Sequence, residues 1–189
     1  MLKIIVAIVG SDRPGLVLLV SEVLATQGGQ IEEINQTTLK GQFAGLFAIN
    51  APNDFDLGLL DQGLKMALTG TGLSYFIAPP SESTDSVPPP AMEPYVISLR
   101  GAASPALIPG VTRTVASFEA NIDNLRAVTL AEDPAQDEGT TPQVLVLEIS
   151  VPQAVQQRVF RQALALTAEE LGVEISLQHR DIFEALHRL

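Results

Sequence analysis

The sequence predicts an α+β protein built from two copies of a βαββαβ unit, each a four-stranded antiparallel sheet with two helices on one face. Three observations support this fold class. A proline-rich segment divides the 189-residue chain near its middle. The same order of strand-like and helix-like patterns occurs on both sides of that segment. A constant shift in residue number relates the two halves, which is typical of an internal repeat.

The first half opens with a β-branched, apolar strand at residues 3–9. Apolar residues at helical spacing follow a short loop and predict the first helix. These residues are Leu16, Leu19, Val20, Val23 and Leu24. Residues 30–39 and 42–50 then read as two strands, and Lys40-Gly41 between them predicts a hairpin turn. The first half therefore begins as strand, helix and hairpin.

A second helix and a last strand complete the first unit. Asp54 is expected to cap this helix at its N-terminus. The apolar face of the helix comprises Leu57, Leu60, Leu64 and Leu68. After two glycines, residues 73–78 form the last strand. The first domain is thus expected to span residues 1–78.

Residues 79–94 contain six prolines and no apolar periodicity, so they are expected to form a linker. The second domain is then expected at residues 95–189, including a C-terminal amphipathic helix. Asp181 would cap that helix, with Glu184 placed for a capping box.

The second half repeats the pattern of the first half at a constant shift in residue number. Adding 91 to the numbers of Gly10, Pro14, Leu16, Val20 and Ile31 gives the same residue types. Beyond residues 132–141 the shift becomes 100, so this acidic segment is expected to be a lengthened hairpin loop. The sheet face opposite the helices should stay open in each unit, which predicts homo-oligomers.

Composition excludes several classes of function. A net charge of −11 without basic clusters argues against nucleic-acid binding. No apolar run reaches the length of a membrane span, so no membrane association is expected. The chain has no cysteine and no recognisable export signal, which favours a cytoplasmic location.

The sequence lacks recognisable catalytic and phosphate-binding motifs. His179 and His187 have neither chelate spacing nor a carboxylate arranged to orient them. We therefore expect no catalytic residues, no metal site and no cofactor in this chain. The function should depend on binding.

Chemical character is concentrated in the loop between the first strand and the first helix. This loop contains Asp12, Arg13, Pro14, Gly15 and Leu16. Free amides at the helix start, with the positive end of the helix dipole, suit a carboxylate, and Asp12 suits an ammonium group. The alternative is that Asp12 caps the helix while Pro14-Gly15 shapes a tight start. The residues alone favour neither interpretation.

The same loop, followed by the segment from Gly29 to Asn35, resembles the signature of the ACT domain family. The resemblance implies ferredoxin-like units that bind small ligands, mostly amino acids, at domain interfaces. It implies ligand contacts from the loop Asp12 to Leu16 and from near Asn35, and polar Gln36 lies beside Asn35 on the predicted strand. In the second unit, Ala103, Ser104 and Ala106 replace Asp12, Arg13 and Gly15, so a complete second site is not expected.

The tandem form resembles the N-terminal regulatory region of bacterial phosphoserine phosphatases and the glycine cleavage system repressor family. This resemblance implies a sensor of serine, glycine or a similar small amino acid that acts on a partner enzyme or regulator. One alternative is an interaction protein whose ligand site has degenerated. Another is the detached regulatory half of a phosphatase, and no phosphatase activity is expected because the aspartate-rich motif of that enzyme is missing after Leu189.

Overall fold

The computed structural model describes residues 1–78, 91–130 and 141–187. The chain forms two compact units, Met1–Val87 and Pro88–Leu189. Each contains a four-stranded antiparallel sheet with the strand and helix order βαββαβ, which confirms the predicted α+β fold class. None of the helices in the described ranges has the length and apolar character that a membrane span needs.

The first unit has four strands and two helices. Their bounds are β1 Leu2–Ser11, α1 Leu16–Thr26, β2 Gln30–Leu39, β3 Gln42–Ala51, α2 Leu57–Leu68 and β4 Leu73–Ala78. The sheet order is β2-β3-β1-β4, so β1 and β3 are central. Between β2 and β3, Lys40 and Gly41 have φ angles of 49° and 75°, the left-handed conformation of a tight hairpin turn.

The core of the first unit lies between the sheet and its two helices. Alternate residues of the central strands point into it because successive side chains of a strand face opposite sides. The core residues include Ile4, Val6, Ile8, Phe43, Phe47, Ile49, Val20, Leu24, Leu60 and Leu64. The opposite side of the sheet, here named the outer face, carries the exposed apolar residues Ile5, Val9, Leu46 and Phe76.

Helix α2 is capped by Asp56, and the prediction that Asp54 caps it is wrong. The Asp56 carboxylate accepts hydrogen bonds from the amides of Gly58 and Leu59 at 2.8 and 3.2 Å. A turn closed by the Phe55 amide on the Pro52 carbonyl precedes the helix. Asp54 lies within this turn, too early in the chain to reach the free amides of the first helical turn.

The second unit repeats this plan and adds a helix. Its bounds are β5 Met92–Ala102, α3 Leu107–Ser117, β6 Asn121–Thr129, β7 Pro142–Pro152, α4 Gln157–Leu171, β8 Glu174–His179 and α5 Arg180–His187. The sheet order β6-β7-β5-β8 corresponds to that of the first unit. Helix α3 begins and ends 91 positions after α1, as the repeat predicts. The predicted hairpin loop lies mostly in 131–140, outside the described residues.

Strand β5 begins at Met92, so the predicted linker extends too far toward the C-terminus. Pro94 pairs with Ser150 of β7, whereas pairing with β8 starts only at Tyr95. Pro94 therefore has a strand neighbour on one side only, where its missing N–H is tolerated. The remaining linker residues, 79–90, lie outside the described residues.

Helix α5 folds onto the outer face of the second unit. It begins at Arg180, directly after β8, so Asp181 lies in its first turn and does not cap it as predicted. Strand β8 ends at His179 and α5 begins at the next residue, so Asp181 is already inside the helix and cannot precede it as a cap. The side chain of Glu184 lies outside the described part of the chain. Val96 on this face is only 2% exposed. An Arg180 guanidinium nitrogen lies 3.5 Å from a Glu148 carboxylate oxygen.

Candidate functional site

The loop between β1 and α1 is attached to the hairpin turn of the first unit. The Asp12 amide donates to the Gly41 carbonyl at 2.9 Å, which extends the pairing of β1 with β3 by one bond. In the second unit the Ala103 amide makes the equivalent bond to the Thr141 carbonyl at 2.8 Å. Both units therefore hold the start of this loop in the same way, and they differ further along it.

Helix α1 starts at Gly15 without a side-chain cap. Gly15 is the N-cap residue, with φ 89° and ψ 3°, and no side chain accepts from the amides of the first turn. A Cβ atom built on Gly15 would have no atom within 4 Å, so the space beside the helix start is open. Free amides and the positive end of the helix dipole make this position suitable for a carboxylate.

Asp12 is exposed beside this helix start and does not cap the helix. Its carboxylate accepts one hydrogen bond, from the Thr38 hydroxyl on β2 at 3.3 Å. The interpretation of Asp12 as a helix cap is therefore wrong. Its oxygens have further acceptor capacity, which an ammonium group could use.

The other loop residues contribute in different ways. Arg13 and Pro14 are exposed. Leu16 is 3% exposed and belongs to the core, so only its backbone amide can contact a ligand. The predicted site thus has one charged residue of each sign next to uncapped amides.

The strand register places the two predicted site residues of β2, Asn35 and Gln36, on opposite sides of the sheet. Gln36 pairs with Gly45, and Thr38 pairs with the buried Phe43, so both lie on the helix side of the sheet, as the paired residues do. Asn35 pairs with Leu46 and lies on the outer face. Gln36 therefore shares its side of the sheet with the Thr38 that contacts Asp12, and Asn35 does not.

Thr38 is not among the predicted site residues, although its hydroxyl contacts Asp12. A polar residue on a half-exposed strand usually faces solvent, and the two residues are 26 positions apart. The predicted β2–β3 hairpin could have indicated this contact. Strand β3 pairs with both β2 and β1, so the end of β2 lies close to the loop that follows β1. No cluster of three or more potential metal ligands occurs within residues 1–78, 91–130 and 141–187.

The corresponding loop of the second unit has a different helix start. Ala106, the N-cap of α3, has φ −81° and ψ −17°, which is right-handed where Gly15 is left-handed. The Ser104 hydroxyl oxygen accepts from the Ala106 amide at 3.2 Å. This loop therefore has no charged residue and uses a side chain to satisfy one of its own amides.

Comparison with known proteins places the chain in a family. The ACT domain model matches residues 3–75, which include the whole loop. A UPF0237 protein from Methanococcus maripaludis is 31% identical over 98 residues, 52% of this chain and 100% of that protein. The chain belongs to the ACT domain family. A second UPF0237 protein, from Methanopyrus kandleri, is 29% identical over 94 residues, 50% of this chain and 96% of that protein.

Solved structures extend the similarity to both ACT units. An unknown protein from Galdieria sulphuraria has a TM-score of 0.78 at 28% identity, covering 94% of this chain and 98% of that one. A provisionally assigned glycine cleavage system transcriptional repressor has a TM-score of 0.68 at 15% identity, covering 94% and 96%. The latter shows a shared fold only. The tandem arrangement of two such βαββαβ units therefore occurs in other proteins.

Proposed function

We propose that this ACT-domain protein is a non-catalytic regulatory module that senses a small amino acid. The observation that carries the proposal is the uncapped start of α1 at Gly15 beside the exposed carboxylate of Asp12. A free α-amino acid brings a carboxylate for the amides and an ammonium group for Asp12. Arg13 and Gln36 are both exposed and are the proposed additional contacts, Gln36 because it lies on the same side of the sheet as Thr38.

Serine and glycine are the first ligands to test. The tandem form resembles the regulatory region of phosphoserine phosphatases and the glycine cleavage system repressors, which favours these two amino acids. The open space beside Gly15 also permits close approach of a ligand to the backbone. The proposed output is an altered contact with a partner enzyme or regulator in the cytoplasm.

The test is a thermal unfolding series of the whole chain with each of the twenty amino acids. A ligand at a hundred times its dissociation constant stabilises by roughly 2.7 kcal/mol, which raises the melting temperature by several degrees. A rise with serine, glycine or a related amino acid, confirmed by calorimetric titration, would support the proposal. Unchanged melting with all twenty would refute it.

The outer face of the first unit favours a second candidate function, that of an interaction protein. Val9, Leu46 and Phe76 on this face are 54%, 52% and 64% exposed. Exposed apolar residues on one sheet face are typical of association surfaces. This function predicts partner binding that does not depend on amino acids, whereas the leading proposal predicts that an amino acid changes it.

A further inference from the structure

A cleft between α3 and α4 in the second unit has features that helix packing does not require. Its volume is about 380 Å³, within the range of small-molecule sites. Pro109 and Leu171 form part of its apolar wall. Arg113 and Thr114 line it from α3, and Thr167 and Glu170 line it from α4.

Two threonine hydroxyls meet across the helices in this cleft. The Thr114 and Thr167 hydroxyl oxygens lie 2.7 Å apart. Each hydroxyl also reaches a carbonyl of its own helix, at 3.3 Å to Gly110 and 3.0 Å to Ala163. Two hydroxyl protons cannot supply three hydrogen bonds at once, so the pair has more acceptor capacity than donors. An N–H donor from a ligand would be accepted here.

Thr167 is unusual within its unit. It is 7% exposed, so its hydroxyl group is buried on the side of α4 that faces α3. The first unit has Val23 and Ala67 at the positions equivalent to Thr114 and Thr167. The same helix pair therefore packs without hydroxyls in the other copy, and the threonines are not needed to join the helices.

Two further differences from the first unit shape the wall of the cleft. Gly110 replaces Leu19, and the Leu171 side chain packs against Gly110, 2.9 Å from where an added Cβ atom would lie. Helix α4 ends at Leu171, whereas α2 ends at Leu68, equivalent to position 168. The longer end of α4 adds Glu170 and Leu171 to the wall of the cleft.

The charged groups at the cleft are opposite in sign and are supplied by different helices. Arg113 lies on α3 and Glu170 on α4, and both are exposed. Within the described part of the chain, neither forms an ion pair within 4 Å. The first unit has Glu22 and Gly70 at the equivalent positions, so it lacks this pair of opposite charges.

We propose that the α3/α4 cleft binds a small zwitterion of the α-amino acid type, at a site separate from the loop of the first unit. The Arg113 guanidinium donates to the ligand carboxylate. Glu170 and the hydroxyl pair accept from the ligand ammonium, and the ligand side chain contacts Pro109 and Leu171. The proposal does not depend on the function proposed above, because no residue of the first unit takes part.

Methyl-labelled threonine makes the two proposed sites separately observable by NMR of the whole chain. The Thr114 and Thr167 methyl signals report on the cleft, and the Thr38 signal reports on the loop beside Asp12. Each is assigned from a threonine-to-serine variant. The titrants are the twenty L-amino acids, with propionate and ethylamine as compounds that each carry one of the two charges.

We expect at least one amino acid to shift both cleft signals in a saturable manner. Propionate and ethylamine should bind at least tenfold more weakly, because each lacks one charge-assisted contact. Arg113→Ala and Glu170→Gln should each weaken binding at least tenfold. Arg158→Ala removes an exposed arginine of α4 that does not line the cleft, and it should have no effect.

Absence of saturable shifts at both cleft threonines with all twenty amino acids would overturn the proposal. So would shifts that persist unchanged in Arg113→Ala, or that disappear in Gly15→Val. Shifts of the Thr38 signal alone would overturn the cleft proposal and still support the function proposed for the first unit. Shifts of the cleft signals alone would support the cleft and contradict the loop site.

Discussion

Gly15→Val is the sharpest test of the loop site in the first unit. Gly15 has a φ of 89°, and no atom lies within 4 Å of where its Cβ would be. An added Cβ therefore has room, but a left-handed conformation costs a residue with a Cβ about 1–2 kcal/mol. We expect this strain to change the loop so that the amides no longer point at a ligand carboxylate. Losing charge-assisted bonds of about 1.5–3 kcal/mol weakens binding at least tenfold.

Gly28→Val is the matched control for that variant. Gly28 follows α1 at its other end, with a φ of 79° and likewise no atom within 4 Å of an added Cβ. The two variants should lose similar stability, about 1–2 kcal/mol in denaturant unfolding. Only Gly15→Val should lose affinity in a calorimetric titration with the amino acid that raises the melting temperature. Equal affinity losses would attribute the effect to general destabilisation, and undiminished binding in Gly15→Val would place the site elsewhere.

Three further predictions concern other parts of the fold. Asp12→Ala should weaken amino-acid binding at least tenfold without lowering stability. Asp56→Ala should lower stability by about 1 kcal/mol and leave the affinity unchanged. Thermal unfolding and calorimetric titration of both variants test this pair of outcomes. Phe76→Asp should lower the mass measured by analytical ultracentrifugation if the outer face mediates self-association; an unchanged oligomer would exclude this. Gly101→Ala should lower stability by about 1–3 kcal/mol, since its Cβ would lie 2.3 Å from the Val173 side chain, and wild-type melting would contradict this packing.

Local patterns were sufficient to predict most of the fold because they report local physics. The hairpin at Lys40-Gly41 was predicted from strand-like flanks and a glycine, and both residues adopt the positive φ that such a turn needs. The predicted capping residue of α2, Asp54, was wrong by two positions, because Asp54 and Asp56 are equally good caps by residue type. The turn between Pro52 and Phe55 decides between them, and residue types alone do not reveal it.

Features that join distant segments could not be predicted in the same way. The contact of Thr38 with Asp12 requires the register of β2 on β3, which a bulge near Ile31 shifts by one residue. This bulge also decides which side of the sheet Asn35 and Gln36 occupy, because one extra residue reverses the alternation. The Asn35 side chain therefore lies on the outer face although its neighbour does not.

The two units show how one loop position can determine which copy binds a ligand. Ala106 occupies the position of Gly15, and because it has a Cβ its backbone adopts the right-handed conformation, with the Ser104 hydroxyl accepting from its amide. This is the conformation that we expect Gly15→Val to impose on the first unit. The two copies can therefore be compared directly. In the first unit the β1–α1 loop leaves the first amides of the helix uncapped next to Asp12. In the second unit the β5–α3 loop is uncharged, and the Ser104 hydroxyl oxygen accepts a hydrogen bond from one of its amides. If both copies proved to bind amino acids equally at this loop, the left-handed glycine would not be what creates the site.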